Sequence, residues 1–351
     1  MKVAFVAWAQ SWHTYRWYKS LRDKCDIKVF SFNKGPDLYG EDQIVIKSIL
    51  PKKLKYIFGA ASMRKSVRKF NPDILHAHYA TGHGYVGSKL KIRPFIVSVW
   101  GSDIFDFPHK SNHTRAFVRK VLDKADAICA TSQRLKNGTL ALYPEFESKI
   151  NVIPFGIDMK LFQPSKSEKT EDQITIGTSK LLEDIYQIDL LMKIFDRIAE
   201  DCPNIYLRIA GKGPEMANLL KVKDELANGD RIKFLGQVEN DKIPDFLNQL
   251  DIFAMPSKFE SFGVSALEAS ACGLPVVAFK VGGLPEILDD GVSALFAAEG
   301  DNLAFEINLR TLVEDRELRL KMGSAGRDIV AEKYDIVKTT QMQLDLYKSL
   351  L

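Results

Sequence analysis

The stretch DIFAMPSKFESFGVSALEASACGLPVVAFK, from Asp251 to Lys280, decides the fold. It opens on a short apolar strand, DIFAMPS, and passes through a loop of small and turn-forming residues into a helical stretch. It leaves on a second strand, PVVAFK. A strand, a helix and a strand in so short a span are the βα repeat of a parallel sheet.

The same alternation continues outward in both directions. Strands are predicted at VAFVAW, DIKVFSF, QIVIK, DILHAH, FIVSVW, DAICATS and INVIP, then at ITIGT, IYLRIAG, RIKFLG, DIFAMPS and PVVAFK. The polar run SKSEKTEDQ, Ser165 to Gln173, separates the two series and reads as a linker. Residues 1–165 and 166–335 are therefore expected to form two doubly wound α/β domains, with ligands at the carboxyl ends of the strands, facing across a cleft. A chain of 351 residues also exceeds one ordinary core. The closing YDIVKTTQMQLDLYKSLL is helical in period and need not belong to the domain before it in sequence.

With 46% apolar and 27% charged residues, the composition excludes a disordered or fibrous chain. Cys25, Cys129, Cys202 and Cys272 are far apart, which suits a reducing cytoplasm better than a disulfide framework. The opening MKVAFVAWAQSWHTYRW reads as a first strand rather than a signal peptide, and no apolar run reaches membrane-spanning length. Residues 1–165 carry 27 Lys and Arg against 13 Asp and Glu, whereas 166–351 carry 22 against 32. The basic N-terminal half suits a phosphate-bearing substrate or an anionic membrane surface. Nucleic acid competes as a partner, but no recognisable nucleic-acid module is present.

In the opening stretch, Ser261, Phe262 and Gly263 sit where free N–H groups and the positive end of a helix dipole would receive a diphosphate. Glu260 lies in that loop and Glu268 follows inside the helix. A carboxylate beside an anion site is explained if it binds sugar or ribose hydroxyls, although two Glu on a helix are ordinarily solvated side chains. Gly211 and Gly213 in AGKGPE make a tight turn and do not form a dinucleotide fingerprint. No Asp-x-Asp pair or His/Cys cluster indicates a metal.

This segment resembles the E-x7-E motif of retaining glycosyltransferases of family 4. SWHTYRW, DILHAHYATGHGYVG, VSVWGSDIFDFP, VIPFGID, AGKGPE, FLGQV and GLPVVAFKVGGLPEIL follow in that family's order. The resemblance implies a GT-B fold of two Rossmann-like domains, with the C-terminal helix, residues 336–351, packing back on the N-terminal one. It implies a nucleoside-diphosphate sugar as donor, with UDP as the nucleotide and no separate cofactor. Glu260 would contact the sugar and Glu268 the ribose, with Ser11, Gly211, Ser261, Phe262 and Gly263 around the donor. Lys180 in GTSKLLEDIYQIDLL fits the first of two phosphate-neutralising cations. The second is missing: Ile185 or Tyr186 occupies its place, Gln187 stands where Gly is usual, and Lys212 or Lys258 would have to compensate. A catalytically weakened nucleotide-sugar-binding homologue is the corresponding alternative.

On the acceptor side, Trp8, Trp12 and Trp100 fall near strand ends, where aromatic faces can stack on sugars, and Trp17 reads as core. His13 and His78 are hydrogen-bonding candidates for a saccharide or lipid-phosphate-linked acceptor, His83 similarly, and His76 points inward. Trp100 takes the position of a His that contacts the donor sugar in relatives. Asp103 is a candidate to orient or deprotonate an acceptor hydroxyl, its competing role being a cap or turn. Seven Lys and Arg in PKKLKYIFGAASMRKSVRKF, Pro51 to Phe70, could hold the protein on the inner face of a membrane or be a solvated helix face. These expectations amount to a retaining, metal-independent hexosyltransferase of cell-surface polysaccharide or glycolipid synthesis.

Overall fold

A computed structural model of the chain describes residues 1–47, 54–165 and 173–351. It divides into two compact units, Met1–Gly156 with Ile336–Leu351, and Ile157–Asp335.

The first unit holds a seven-stranded parallel sheet: β1 (Lys2–Val6), β2 (Asp26–Ser31), β3 (Gln43–Val45), β4 (Ile74–His78), β5 (Phe95–Val99), β6 (Ala127–Ala130) and β7 (Ile150–Val152), in the order 3-2-1-4-5-6-7. Every residue of β4, β5 and β6 is buried. Strands buried on both faces lose period-two alternation and read as continuous apolar runs, which is how these segments stand in the sequence.

The second unit repeats the plan with β8 (Ile174–Ser179), β9 (Ile205–Ala210), β10 (Ile232–Gly236), β11 (Ile252–Met255), β12 (Val276–Phe279) and β13 (Ala294–Ala297), all parallel, ordered 10-9-8-11-12-13. The helix Ile188–Asp201 buries Ile188, Leu191, Met192, Ile194, Phe195, Ile198 and Ala199, one stripe at helical spacing. Gln187, just before it, has φ 48° and ψ 45°. The backbone thus keeps a left-handed turn, at a cost to a residue with a Cβ of roughly 1 kcal/mol.

In both sheets the strand order reverses at one place, between β1 and β4 and between β8 and β11. Crossovers leave such a point to opposite faces, which opens a crevice at the carboxyl ends of the two strands.

The boundary between the units corrects the linker reading. Residues 157–165 belong to the second unit: the Ile157 N–H donates to the Tyr334 carbonyl, Arg327 donates to the Phe162 carbonyl, and Asn248 bonds both Gln163 and Ser165. Most of the polar run, 166–172, lies outside the described residues. The helix Ile336–Ser349 is part of the first unit and buries a mostly polar face, Thr339, Thr340, Gln343, Leu344 and Tyr347. Tyr347 meets His76 Nδ1 at 2.6 Å, and Ser98 meets Nε2 at 2.8 Å, so both nitrogens of this buried ring are satisfied.

Candidate functional site

In the second unit the loop after β8 begins at Lys180 and the loop after β11 contains Ser257, Lys258 and Glu260. Both start at the reversal point. Lys180 Nζ and Glu260 Oε1 form an ion pair at 2.5 Å, with side chains 11% and 9% exposed. Ser257 Oγ donates to the same carboxylate oxygen at 3.0 Å. The Lys180 ammonium also lies 5.2 Å from the centroid of the Tyr186 ring. A nearly dry pair of this kind holds its charges in fixed directions, because their desolvation is offset only by that geometry.

Two glycines bring the neighbouring loops against these residues. A Cβ at Gly211 would stand 1.8 Å from the Lys180 carbonyl oxygen, and one at Gly282 1.6 Å from that of Glu260. Both approaches are backbone on backbone, so only glycine fits. The Gly283 N–H donates to the Glu260 carbonyl at 2.9 Å, closing the second contact.

Beyond Glu260 the chain turns at Gly263, φ 97°, into the helix Val264–Ala271. The first N–H groups of a helix have no intrahelical acceptor, and they carry the positive end of its dipole. Ser261 is half-buried, Phe262 is buried with its ring edge-on to Tyr334, and Glu268 is half-buried within the helix. Glu260, Ser261, Gly263 and Lys180 therefore converge at one strand-end site, with Gly211 behind it. Ile185 lies on the same rim: the Lys258 N–H donates to its carbonyl at 2.8 Å, and Lys258 Nζ pairs with Asp184 at 2.8 Å. Nothing in the sequence marked Ser257 or tied Lys258 to Asp184.

In the first unit three of the residues expected at an acceptor, His78, Trp100 and Asp103, are buried. Asp103 is 1% exposed and accepts N–H bonds from Ala80, Trp100 and Gly101, which fasten the loops after β4 and β5 together. Its second reading, a turn carboxylate, is the one the structure bears out. Burial raises its pKa against these bonds. Trp100, 5% exposed, packs on His78 and Tyr79 instead of facing open space. His78 is 1% exposed and bonds Thr14. His13 is half-buried and stacked on Phe155 at 4.5 Å, while Ser11 precedes the helix Trp12–Leu21 without capping it. Trp17 is core, as read.

The open space lies beside them, in a cavity of about 710 Å³ at the β1/β4 reversal. Trp8, Gln10, Asn33, Lys55, Tyr56 and Tyr79 line it, with His83 deeper in. Trp8 is 46% exposed and bonds Gln10; Lys55 donates to Asn33 at 2.7 Å. Tyr79 reaches the cavity through a positive φ of 72° at the end of β4, a strained conformation of the kind that clusters at binding sites. Of these, Trp8 and His83 were legible as candidates. Tyr79 had no sequence signal, since nothing in a tyrosine indicates a left-handed turn.

Part of the basic stretch from Pro51 to Phe70, residues 51–53, lies outside the described residues. In the rest, the helix Ala60–Phe70 buries Ala60, Met63 and Val67, so its apolar face is domain core and its basic face is solvated. Among the described residues no helix is long and apolar enough to cross a membrane, and no cluster of His, Cys, Asp and Glu could hold a metal ion.

Comparison with known proteins bears on both units. Residues 159–329 match the family model of glycosyl transferases group 1, and residues 2–132 that of glycosyl transferase 4-like proteins. The chain is 27% identical over 311 residues to N-acetyl-alpha-D-glucosaminyl L-malate synthase of Bacillus anthracis, covering 83% of this chain and 78% of that one. It is 28% identical over 244 residues to the phosphatidylinositol N-acetylglucosaminyltransferase gpi3 subunit of Schizosaccharomyces pombe, covering 69% and 54%. In fold it superposes on Anabaena HepE in complex with UDP and glucose, with a TM-score of 0.86, 22% identity and full coverage of both chains. Models of glycosyl transferase families thus match along both units, and the whole chain shares the GT-B fold of that neighbour.

Proposed function

We propose that the protein transfers a hexosyl group from a nucleoside-diphosphate sugar, with UDP as the nucleotide, to a saccharide or lipid-linked hydroxyl, retaining the anomeric configuration and using no metal. The observation that carries this reading is the buried Lys180–Glu260 pair at the β8/β11 reversal, beside the open start of the helix Val264–Ala271. Cleaving a sugar–phosphate bond builds negative charge on the leaving diphosphate. Amides fixed in advance at the helix start, with a cation at hand, stabilise that charge more than they stabilise bound donor. Glu260, held by Lys180 and Ser257, offers its remaining lone pairs to sugar hydroxyls, and Glu268 one face further along the helix serves the ribose.

The acceptor in this reading occupies the cavity of the first unit, where Trp8 and Tyr79 offer aromatic surface and Gln10, Asn33 and Lys55 offer polar partners. Contact with an anionic membrane would rest on charge alone, since the apolar face of Ala60–Phe70 is used in packing. Arg64, Lys89, Lys91, Arg93 and Lys124 line a second recess of about 430 Å³ that supplies such charge. Synthesis of a cell-surface polysaccharide or glycolipid fits both features. The second reading, binding without turnover, is favoured by Ile185, which brings no cation to the donor site.

The test is a thermal-shift screen of UDP, GDP, ADP and their sugars, with the N-acetylhexosamine donors included because two relatives are named for that sugar. A ligand at 100 times its dissociation constant stabilises by ~2.7 kcal/mol, a shift of several degrees. UDP and a UDP-sugar should raise the melting temperature of wild type and not that of Glu268→Ala. Equal shifts for all nucleotides, or none, would contradict the donor assignment.

A further inference from the structure

We infer that Lys258 is the cation that meets the leaving diphosphate, standing in for the side chain that Ile185 does not supply; this rests on the donor-site reading above. The charge balance of the site requires one. Lys180 is matched by Glu260 at 2.5 Å, so the pair together presents almost no net positive potential to a phosphate. The helix start contributes about half an elementary charge. A dianionic leaving group needs more than that.

Lys258 is placed to supply it. Its residue lies two positions before Glu260 on the same loop, and its N–H is anchored to the Ile185 carbonyl at 2.8 Å. Its backbone thus occupies the rim from which a cation at position 185 would reach in. The ammonium pairs with Asp184 at 2.8 Å, with the two side chains 45% and 84% exposed. Exposed pairs of this sort contribute little, so a diphosphate with two or more negative charges outcompetes the carboxylate. Lys180 cannot make this move, because leaving Glu260 would strand a buried charge. The two lysines therefore divide the work: Lys180 fixes the sugar-contacting carboxylate, and Lys258 moves from Asp184 to the phosphates.

The experiment compares Lys258→Ala, Lys258→Arg and Asp184→Asn with wild type, measuring UDP and UMP affinities by calorimetry and donor turnover in parallel. Lys258→Ala should weaken UDP by about 10- to 100-fold, the range of a lost charge-assisted contact, with UMP much less affected. Lys258→Arg should retain most of the affinity. Asp184→Asn should act in the opposite direction and tighten UDP by a few-fold, since it releases the lysine. Two outcomes overturn the inference: unchanged UDP affinity in Lys258→Ala, or an Asp184→Asn loss matching that of Lys258→Ala, which would make the pair a structural clip. Failure of wild type to bind UDP or UMP at all would be distinguishable from both, because it removes the donor site and this role with it.

Discussion

Lys180→Ala is expected to reduce donor turnover by about 100- to 1,000-fold, the scale on which single preorganised transition-state contacts operate. The substitution acts twice. It removes the partner that orients Glu260, and it leaves a carboxylate that is only 8% exposed and accepts a hydrogen bond from Ser257. Breaking a buried pair from one side costs about 3–5 kcal/mol, because the remaining charge is no longer compensated. Melting temperature should fall together with activity. The double variant Lys180→Ala/Glu260→Ala separates the two effects: with no stranded charge it should regain much of the lost stability and none of the turnover. A single variant that kept more than a tenth of wild-type turnover would show that the pair is structural and remote from the sugar.

Mild acid should selectively destabilise the first unit. All six histidines lie in it, and three are buried without a compensating charge: burial pulls His76 down to about 3 and His83 to about 4, and His78 well below its ordinary value. The unfolded chain takes up these protons near pH 6.5, whereas the folded unit resists them until far lower pH. The folded pKa values are depressed, so the contribution to stability is complete above about pH 6.5. It declines as pH falls toward 4, by about 1.4 kcal/mol per unit per histidine. At pH 5 the loss is about 2 kcal/mol each for His76 and His83, and His78 adds to it in the same direction, so the sum is a large fraction of the stability of a domain. Urea unfolding at pH 7.5, 6 and 5 should show the first unit's transition moving to lower urea. The second unit has no histidine and serves as its own control. Parallel displacement of both transitions would mean that carboxylates, not these histidines, govern the response.

Both sheets were legible because parallel strands are apolar on both faces and need no tertiary information to be recognised. The exception is β13, Ala294–Ala297, whose ALFA lacks β-branched residues and draws its strand character from pairing with β12. The strand, turn and helix from β11 to Ala271 were legible as well, since such a unit is local. The depth of side chains in the first unit was not. His78, Trp100 and Asp103 stand at strand ends in sequence, yet the chain turns at Tyr79 and at Gly101, φ 138°, carrying them inward and leaving Tyr79 at the cavity. A backbone reversal of this kind is decided by contacts between loops distant in sequence. The Lys258–Asp184 pair has the same origin, joining residues 74 positions apart.

Retaining transfer from a nucleotide sugar is read out by anomer-resolved NMR of the product. Wild-type protein is incubated with an α-linked UDP-sugar and a panel of hydroxyl acceptors, with Glu260→Ala as control. An α-linked product and an equal amount of released UDP are expected from wild type, and neither from the variant. A β-linked product, or donor that is bound but never consumed with any acceptor, would contradict retaining transfer.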